Sequence, residues 1–391
     1  MLSVYVDLHV HIGSAGGRVV KVTASRDLTV AKILEYVPRV KGLDIIGIVD
    51  GASPGVLSEL EAMVREKVLA PHPGGGLSAG DLLVIPGVEM ELAASSGGSA
   101  HFLAYFPALE SIREFSVELG QYVTNPQLST QKAVLSPVEA LELVRAHEGF
   151  LVPAHAFTPH KGVLGCCASS LKQVFGAERD KIFALELGLS ADTAMADSLS
   201  ELADITFLTS SDAHSLPKIG REYMRFQLEE ACFASLREAL QGGSKTNKLQ
   251  ANYGLAPALG KYHRSFCPEC GQIFEEGRPV LACPNCPESK VVKGVWDRLL
   301  EIADQESNSP SHRPPYIYQV PLEMLPGIGP KTKSKLIAQI GPEKYVLNEA
   351  SPEEIAAGAG KKAAEIIIRA RQGELVYIPG GGGKYGRPKL A

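Results

Sequence analysis

Five strand-like apolar runs within the first 214 residues end in His, Asp or Glu, and nothing else in the chain constrains its fold so strongly. They close as Asp7-Leu-His9-Val-His11, Val49-Asp50, Gly87-Val-Glu89 followed by His101, Pro153-Ala-His155, and Ser211-Asp212-Ala-His214. Chance scatters histidines over loops and helix faces. A β/α barrel brings the C-terminal ends of all its strands to one rim, so ligands 200 residues apart converge there. Residues i and i+2 of a strand point the same way, which lets His9 and His11 share an ion; Asp212 and His214 have the same spacing. Glu89 has two oxygens and can bridge two ions. Such a rim suits two or three divalent ions (Zn²⁺, Mn²⁺ or Mg²⁺), with Glu89 and Asp212 as the catalytic carboxylates of a metal-dependent hydrolase.

The runs before these ligands predict strands at 3–10, 44–50, 82–89, 101–106, 150–155, 182–187 and 205–212. Amphipathic stretches lie between several of them. One is 136–147, where Ser136 caps and Pro137 fits the first helical turn. Strand–helix alternation favours a parallel sheet, and at this length a closed barrel over residues 1–240. Residues 241–260, rich in Gly, Ser, Asn and Lys, read as a link. Residues 261–294 hold a cysteine cluster, and 315–391 read as short helices ending in a Gly-rich, extended tail.

At 391 residues the chain is long enough for one large domain and smaller ones. It has 45% hydrophobic and 21% charged residues, as in globular proteins, and no apolar run of membrane-spanning length. Met-Leu-Ser-Val-Tyr enters a strand with no signal-peptide pattern, so the expected location is the cytoplasm, with no membrane partner. Four of the seven cysteines form a metal pattern, leaving Cys166, Cys167 and Cys232, a poor disulfide framework. The net charge of −5 excludes a uniformly basic surface but not a local basic patch that grips phosphates.

Cys267-Pro-Glu-Cys270 and Cys283-Pro-Asn-Cys286 are two Cys-x-x-Cys knuckles, separated by twelve residues. Four thiolates at this spacing predict one structural Zn²⁺ with no open coordination position. The site staples a segment too small to fold alone. Nearby Lys261, His263, Arg264 and Lys290 offer DNA contacts.

Residues 325–336 read Leu-Pro-Gly-Ile-Gly-Pro-Lys-Thr-Lys-Ser-Lys-Leu. Gly327 and Gly329 permit a tight turn, and a helix starting near Pro330 would aim free N–H groups at an anion. With Lys331, Thr332 and Lys333, this looks like the hairpin of a helix-hairpin-helix module that holds backbone phosphates without reading sequence. The stretch 357–364, Ala-Gly-Ala-Gly-Lys-Lys-Ala-Ala, is a weaker second copy.

The rim motifs resemble those of the PHP (polymerase and histidinol phosphatase) superfamily of metallophosphoesterases. The resemblance implies a distorted β/α barrel and three ion sites. One would take His9, His11, Glu89 and Asp212. A second would share Glu89 and add His101 and His155, and a third would use Asp50 and His214. A histidine common in the first loop of that superfamily is missing here, since 13–21 contains no His, Asp, Glu or Cys. Barrel, cysteine segment and Gly-rich hairpin, in that order, resemble the endonuclease Q family across nearly the whole chain. So do Ala154-His-Ala-Phe-Thr-Pro-His160, Glu186-Leu-Gly-Leu-Ser, and Arg313-Pro-Pro-Tyr with Val320-Pro-Leu. That resemblance implies a repair nuclease that nicks DNA on the 5′ side of deaminated bases (uracil, hypoxanthine, xanthine) and abasic sites.

A damaged base must leave the helix to be read. Position alone nominates the loop after His155, with Phe157 for stacking and Ser169 or Ser170 for hydrogen bonds. His160, Lys161, Arg18 and Lys21 are expected near the scissile phosphate. Rival readings are a 3′–5′ exonuclease, a small-molecule PHP phosphatase with no need of residues 261–372, and a DNA-binding scaffold with an inactive barrel. The Gly-rich tail is also a place where a sliding-clamp-type partner could dock.

Overall fold

The computed structural model describes residues 1–93, 97–274 and 282–390. Its main sheet runs, in spatial order, Phe150–Pro153, Ser99–Tyr105, Leu82–Ala93, Ile45–Ile48, Leu2–Val10, Tyr223–Leu228, Lys248–Gly254 and Tyr316–Tyr318. A separate parallel pair, Ala184–Glu186 with Thr206–Leu208, fills the gap between its bent ends. Ala156 N–H donates to the Glu186 carbonyl at 2.9 Å on one side of that pair. On the other, Ala213 N–H donates to His9 O at 3.0 Å, and His11 N–H to Ala213 O at 3.1 Å. Seven strands thereby enclose a distorted α/β barrel. Its interior is apolar, with Val4, Val6, Leu8, Leu83, Ile85, Leu103, Tyr105 and Val152 in one buried cluster.

The expected parallel sheet is corrected in part. Ser99–Tyr105 runs antiparallel to both neighbours, because it follows Leu82–Ala93 without an intervening helix. The supposed link at 241–260 contains the strand Lys248–Gly254, antiparallel to Tyr223–Leu228, which is itself antiparallel to Leu2–Val10. Helices cover the outside, and Pro137–Ala146 begins as its sequence predicts. Ser136 and Glu139 form a reciprocal capping box with Pro137 in the first turn.

The C-terminal part packs around its own core, where Leu322, Leu325, Ile328 and Leu336 meet Val346, Ile355 and Ile367. A single 3₁₀ turn, Leu322–Met324, precedes the glycine turn and the helix Pro330–Gln339, which has Gly329 as its N-cap and Pro330 at the first position. Gly327 has φ +81°, where a side chain would be strained. The second glycine turn joins two longer helices, Pro352–Ala359 and Lys361–Arg371. The tail is held rather than loose: Leu375–Ile378 pairs with Arg387–Leu390, and Gly380 and Gly386 N–H groups donate to Ala258 O and Leu259 O.

Candidate metal centre and cleft

The strand Leu2–Val10 slips register by one residue against Ile45–Ile48 between Asp7 and Val10. Such a bulge re-aims side chains next to it. His9 within it and His11 just beyond it turn their Nε2 atoms towards Glu89 and Asp212. His9 Nε2 lies 3.5 Å from Glu89 Oε1 and 3.5 Å from Asp212 Oδ1, and His11 Nε2 lies 3.5 Å from Glu89 Oε2 and 3.5 Å from Asp212 Oδ1. On the other side of Glu89, its Oε1 is 3.0 Å from His101 Nδ1 and 3.5 Å from His155 Nε2. An ion with N and O ligands at about 2.1 Å holds neighbouring ligand atoms roughly 3 to 3.5 Å apart. Among the described residues, the buried His9 Nε2, His11 Nε2 and His101 Nδ1 have no partner in hydrogen-bond geometry, as expected of ligand atoms. His9, His11 and Asp212 form one ligand group, and Glu89, His101 and His155 a second; both fit divalent ions.

The opposite ring nitrogens are fixed by carboxylates. Both Glu186 oxygens lie 3.1 Å from His9 Nδ1, and both Asp50 oxygens 3.1 Å from His11 Nδ1. Such contacts set the tautomer and aim of a metal-binding imidazole. Glu186 also accepts His155 N–H at 2.9 Å. It ends a sixth strand, so the signal was present in the sequence although no role was read from it. Asp50, expected as a ligand of a third ion, instead orients His11. His214 is in neither ligand group but borders the first, its Nδ1 3.0 Å from the Asp212 carbonyl and 3.4 Å from Asp212 Oδ1, and its ring 4.6 Å from that of His11.

Two ligands have strained backbones. His155 has φ +29° and Asp212 φ +46°, values costly for non-glycine residues and frequent at functional sites. Gly188 stands against the first, where an added Cβ would lie 2.9 Å from His155 Cβ. Burial pushes the Glu89 carboxyl up, but His101 and Lys21 outweigh it and hold it well below the usual range. Burial likewise opposes ionisation of Asp212, and His9, His11 and His214 overcome it.

The ligands line a cleft of about 850 Å³ whose walls carry Lys161, Lys218, Arg221 and Lys261. Tyr262 and, from the tail hairpin, Tyr385 complete its rim. Arg221 donates to the Ser211 carbonyl and to Tyr385 Oη, both at 2.8 Å. His160 and Lys161 are in the cleft as expected, although Lys161 Nζ is 2.7 Å from Glu91. Lys21 is there too, deeper than a loop cation should be, whereas Arg18 is exposed on the surface.

The three residues expected to read the lesion do not share one pocket. Phe157 is wholly buried among core residues and presents no face for stacking. Ser170 Oγ caps the short helix Leu171–Phe175, and Ser169 lines a different depression beside Lys290 and Arg298.

In the cysteine segment the four sulfur atoms of Cys267, Cys270, Cys283 and Cys286 converge in one group, with Cys270 Sγ 3.6 Å from Cys283 Sγ. That is the spacing of thiolates on a tetrahedral Zn²⁺ with bonds of about 2.3 Å. Arg264 is buried against Asp297, and His263 is buried near Trp296. In the hairpin region Lys331 is exposed and Thr332 half-buried. Lys333 instead turns inward, 3.4 Å from Glu323 and 3.7 Å from Glu343. No helix among the described residues is long and apolar enough to cross a membrane.

The model of the PHP-associated family matches residues 192–244. Together with the barrel and its shared-carboxylate rim, this defines a metal-dependent phosphodiesterase of the PHP superfamily. The uncharacterized protein YqxK of Bacillus subtilis is 41% identical over 393 residues, covering all of both chains. The lesion-specific endonuclease PfuEndoQ of Pyrococcus furiosus is 32% identical, with a TM-score of 0.84 over 100% of this chain and 96% of its own. An endonuclease Q in complex with a 27-mer duplex carrying an abasic lesion is 31% identical, again with TM-score 0.84, over 100% and 97%. The chain belongs to the endonuclease Q family.

Proposed function

We propose that the protein is a DNA repair endonuclease that cuts the phosphodiester on the 5′ side of deaminated bases (uracil, hypoxanthine, xanthine) and of abasic sites. The observation carrying this reading is the pair of ligand groups joined by Glu89 at the floor of a cleft with basic walls. The full-length likeness to an endonuclease Q bound to a lesion-bearing duplex supports DNA as the ligand.

His9, His11, Glu89 and Asp212 would hold one ion, and Glu89, His101 and His155 a second. Bound there, divalent ions supply a hydroxide-forming water at neutral pH and offset charge building on phosphoryl oxygens. The chain's own residues do the rest. Glu186 and Asp50 fix the imidazoles, and Lys161, Lys218, Arg221 and Lys261 draw the phosphate backbone across the cleft. Residues 1–240, extended by the strand Lys248–Gly254, form the catalytic part. The segment 261–294 is a zinc staple at one wall. Within 315–391, Gly327, Gly329, Lys331 and Thr332 form a phosphate-holding turn of helix-hairpin-helix type.

One end-labelled duplex with a single uracil, beside its undamaged counterpart, tests the reading. A metal-dependent single product ending at the lesion's 5′ side is expected. A ladder growing from the end would point to an exonuclease. Intact DNA alongside phosphate release from small esters would sink the nuclease assignment.

A further inference from the structure

Lys21 ends a first loop that brings no metal ligand to the rim, yet its side chain enters the centre. Its Nζ lies 2.8 Å from Glu89 Oε2 and also donates to Thr130 Oγ1. Thr130 in turn donates to the same Glu89 oxygen at 2.7 Å, so the ammonium is clamped between two fixed acceptors. Lys21 is 8% exposed and forms part of the cleft wall. An ammonium has three N–H donors, and these contacts use two of them.

A third ion would have to draw on the remaining rim donors, Asp50 and His214. Asp50 is committed elsewhere: its oxygens face His11 Nδ1, accept Ile12 N–H at 2.5 Å and accept the Ser129 hydroxyl. His214 Nδ1 lies against the Asp212 carbonyl. Asp50, Glu89 and Asp212 nevertheless concentrate negative charge within one buried site, and all three attract Lys21.

We propose that Lys21 is a built-in cation standing where a third ion would otherwise be required. The barrel then holds two ions rather than three, and the remaining Lys21 N–H is a positioning contact for a non-bridging phosphate oxygen. This rests on the two-ion reading of the rim. A cation beside a metal-bridging carboxylate repels the ions, so its removal should tighten metal binding. A purely structural lysine predicts the opposite, because Glu89 would lose its support.

The test is metal content and affinity of the full-length protein, loaded with Zn²⁺ or Mn²⁺ and measured by elemental analysis and chelator competition. Wild type should carry three ions per chain, two in the barrel and one on the cysteines. Lys21→Met should still carry three, with the barrel ions bound at least about fivefold more tightly. Its KM for lesion DNA should rise. Lys21→Arg should keep wild-type metal affinity and guards against misfolding of the Met variant. Four ions in wild type, or unchanged or weaker metal binding in Lys21→Met, overturns the assignment of Lys21. A wild type carrying only the cysteine-bound ion overturns the two-ion reading along with it.

Discussion

Lys41 Nζ lies 2.7 Å from Glu343 Oε2 with both side chains buried, one from the barrel and the other from the C-terminal helices. Glu343 also accepts Leu322 N–H at 3.0 Å, and Lys41 donates to the Pro217 carbonyl at 2.7 Å. Burial works against the Glu343 carboxylate, but Lys41 and Lys344 hold its pKa down at about 2. Removing one partner strands the other charge out of water. Glu343→Ala should therefore cost about 3–5 kcal/mol, while the paired change Lys41→Met with Glu343→Leu should be far milder. Urea melts of the single and double variants compare the two. Equal losses would mean that the pair does not couple the two parts.

Glu186 is in neither ligand group but fixes His9 Nδ1 and the His155 backbone. Glu186→Gln should weaken metal affinity about 10- to 100-fold while the fold persists. Chelator competition beside a thermal melt separates the two effects. Loss of stability with intact metal affinity would contradict the orienting role.

Glu222 is wholly buried, and one of its oxygens, Oε2, has no partner among the described residues. Burial, reinforced by Glu186 and Asp7, pushes its carboxyl up to about 8. A carboxyl raised in the folded state contributes most below its unfolded value near 4.5, and that stability is lost as pH rises through 8. Glu222→Gln does not titrate. Its stability relative to wild type should grow by roughly 1.4 kcal/mol per pH unit between pH 5 and 8, then level off. Denaturant midpoints across that range give the slope, and a flat difference would show that Glu222 is already ionised.

Lys331 and Lys333 sit two residues apart and should behave differently. Exposed Lys331, changed to Ala, should weaken DNA binding uniformly across sequences and lower the salt dependence by about one ion. Lys333→Ala should instead lower the melting temperature, since its ammonium serves Glu323 and Glu343. Binding measured at several salt concentrations decides, and a matching loss of affinity in both variants would refute the distinction.

Most of the metal rim was legible because its ligands follow apolar runs, a local pattern that one rim then gathers; His101 instead opens the antiparallel strand Ser99–Tyr105, whose start reaches the same rim. What the pattern could not convey was which ring nitrogen each histidine uses. Spacing alone therefore cannot separate a ligand from a carboxylate such as Asp50 that holds His11 Nδ1, nor pair Glu186 with His9 across 177 residues. The strand Lys248–Gly254 was hidden by the Gly-Gly-Ser-Lys-Thr-Asn stretch before it and by its own polar Gln250 and Asn252. Asn252 is buried, with its side chain bonded to Thr209 and the Phe207 carbonyl. Phe157 failed as a stacking platform because loop position says nothing about whether a ring faces the core.

Glu89 belongs to one ligand group, and its two oxygens lie 3.5 Å from the His9 and His11 Nε2 atoms of the other, which has a genetic consequence. On the two-ion reading, damage at His101 or His155 would strike one site, and the other would keep its two imidazoles and Asp212. Damage at Glu89 would strike both sites at once, so substitutions there should be more severe than those at either histidine. Partial-loss alleles of the barrel should map to the histidines, and null alleles to the single residue they lean on.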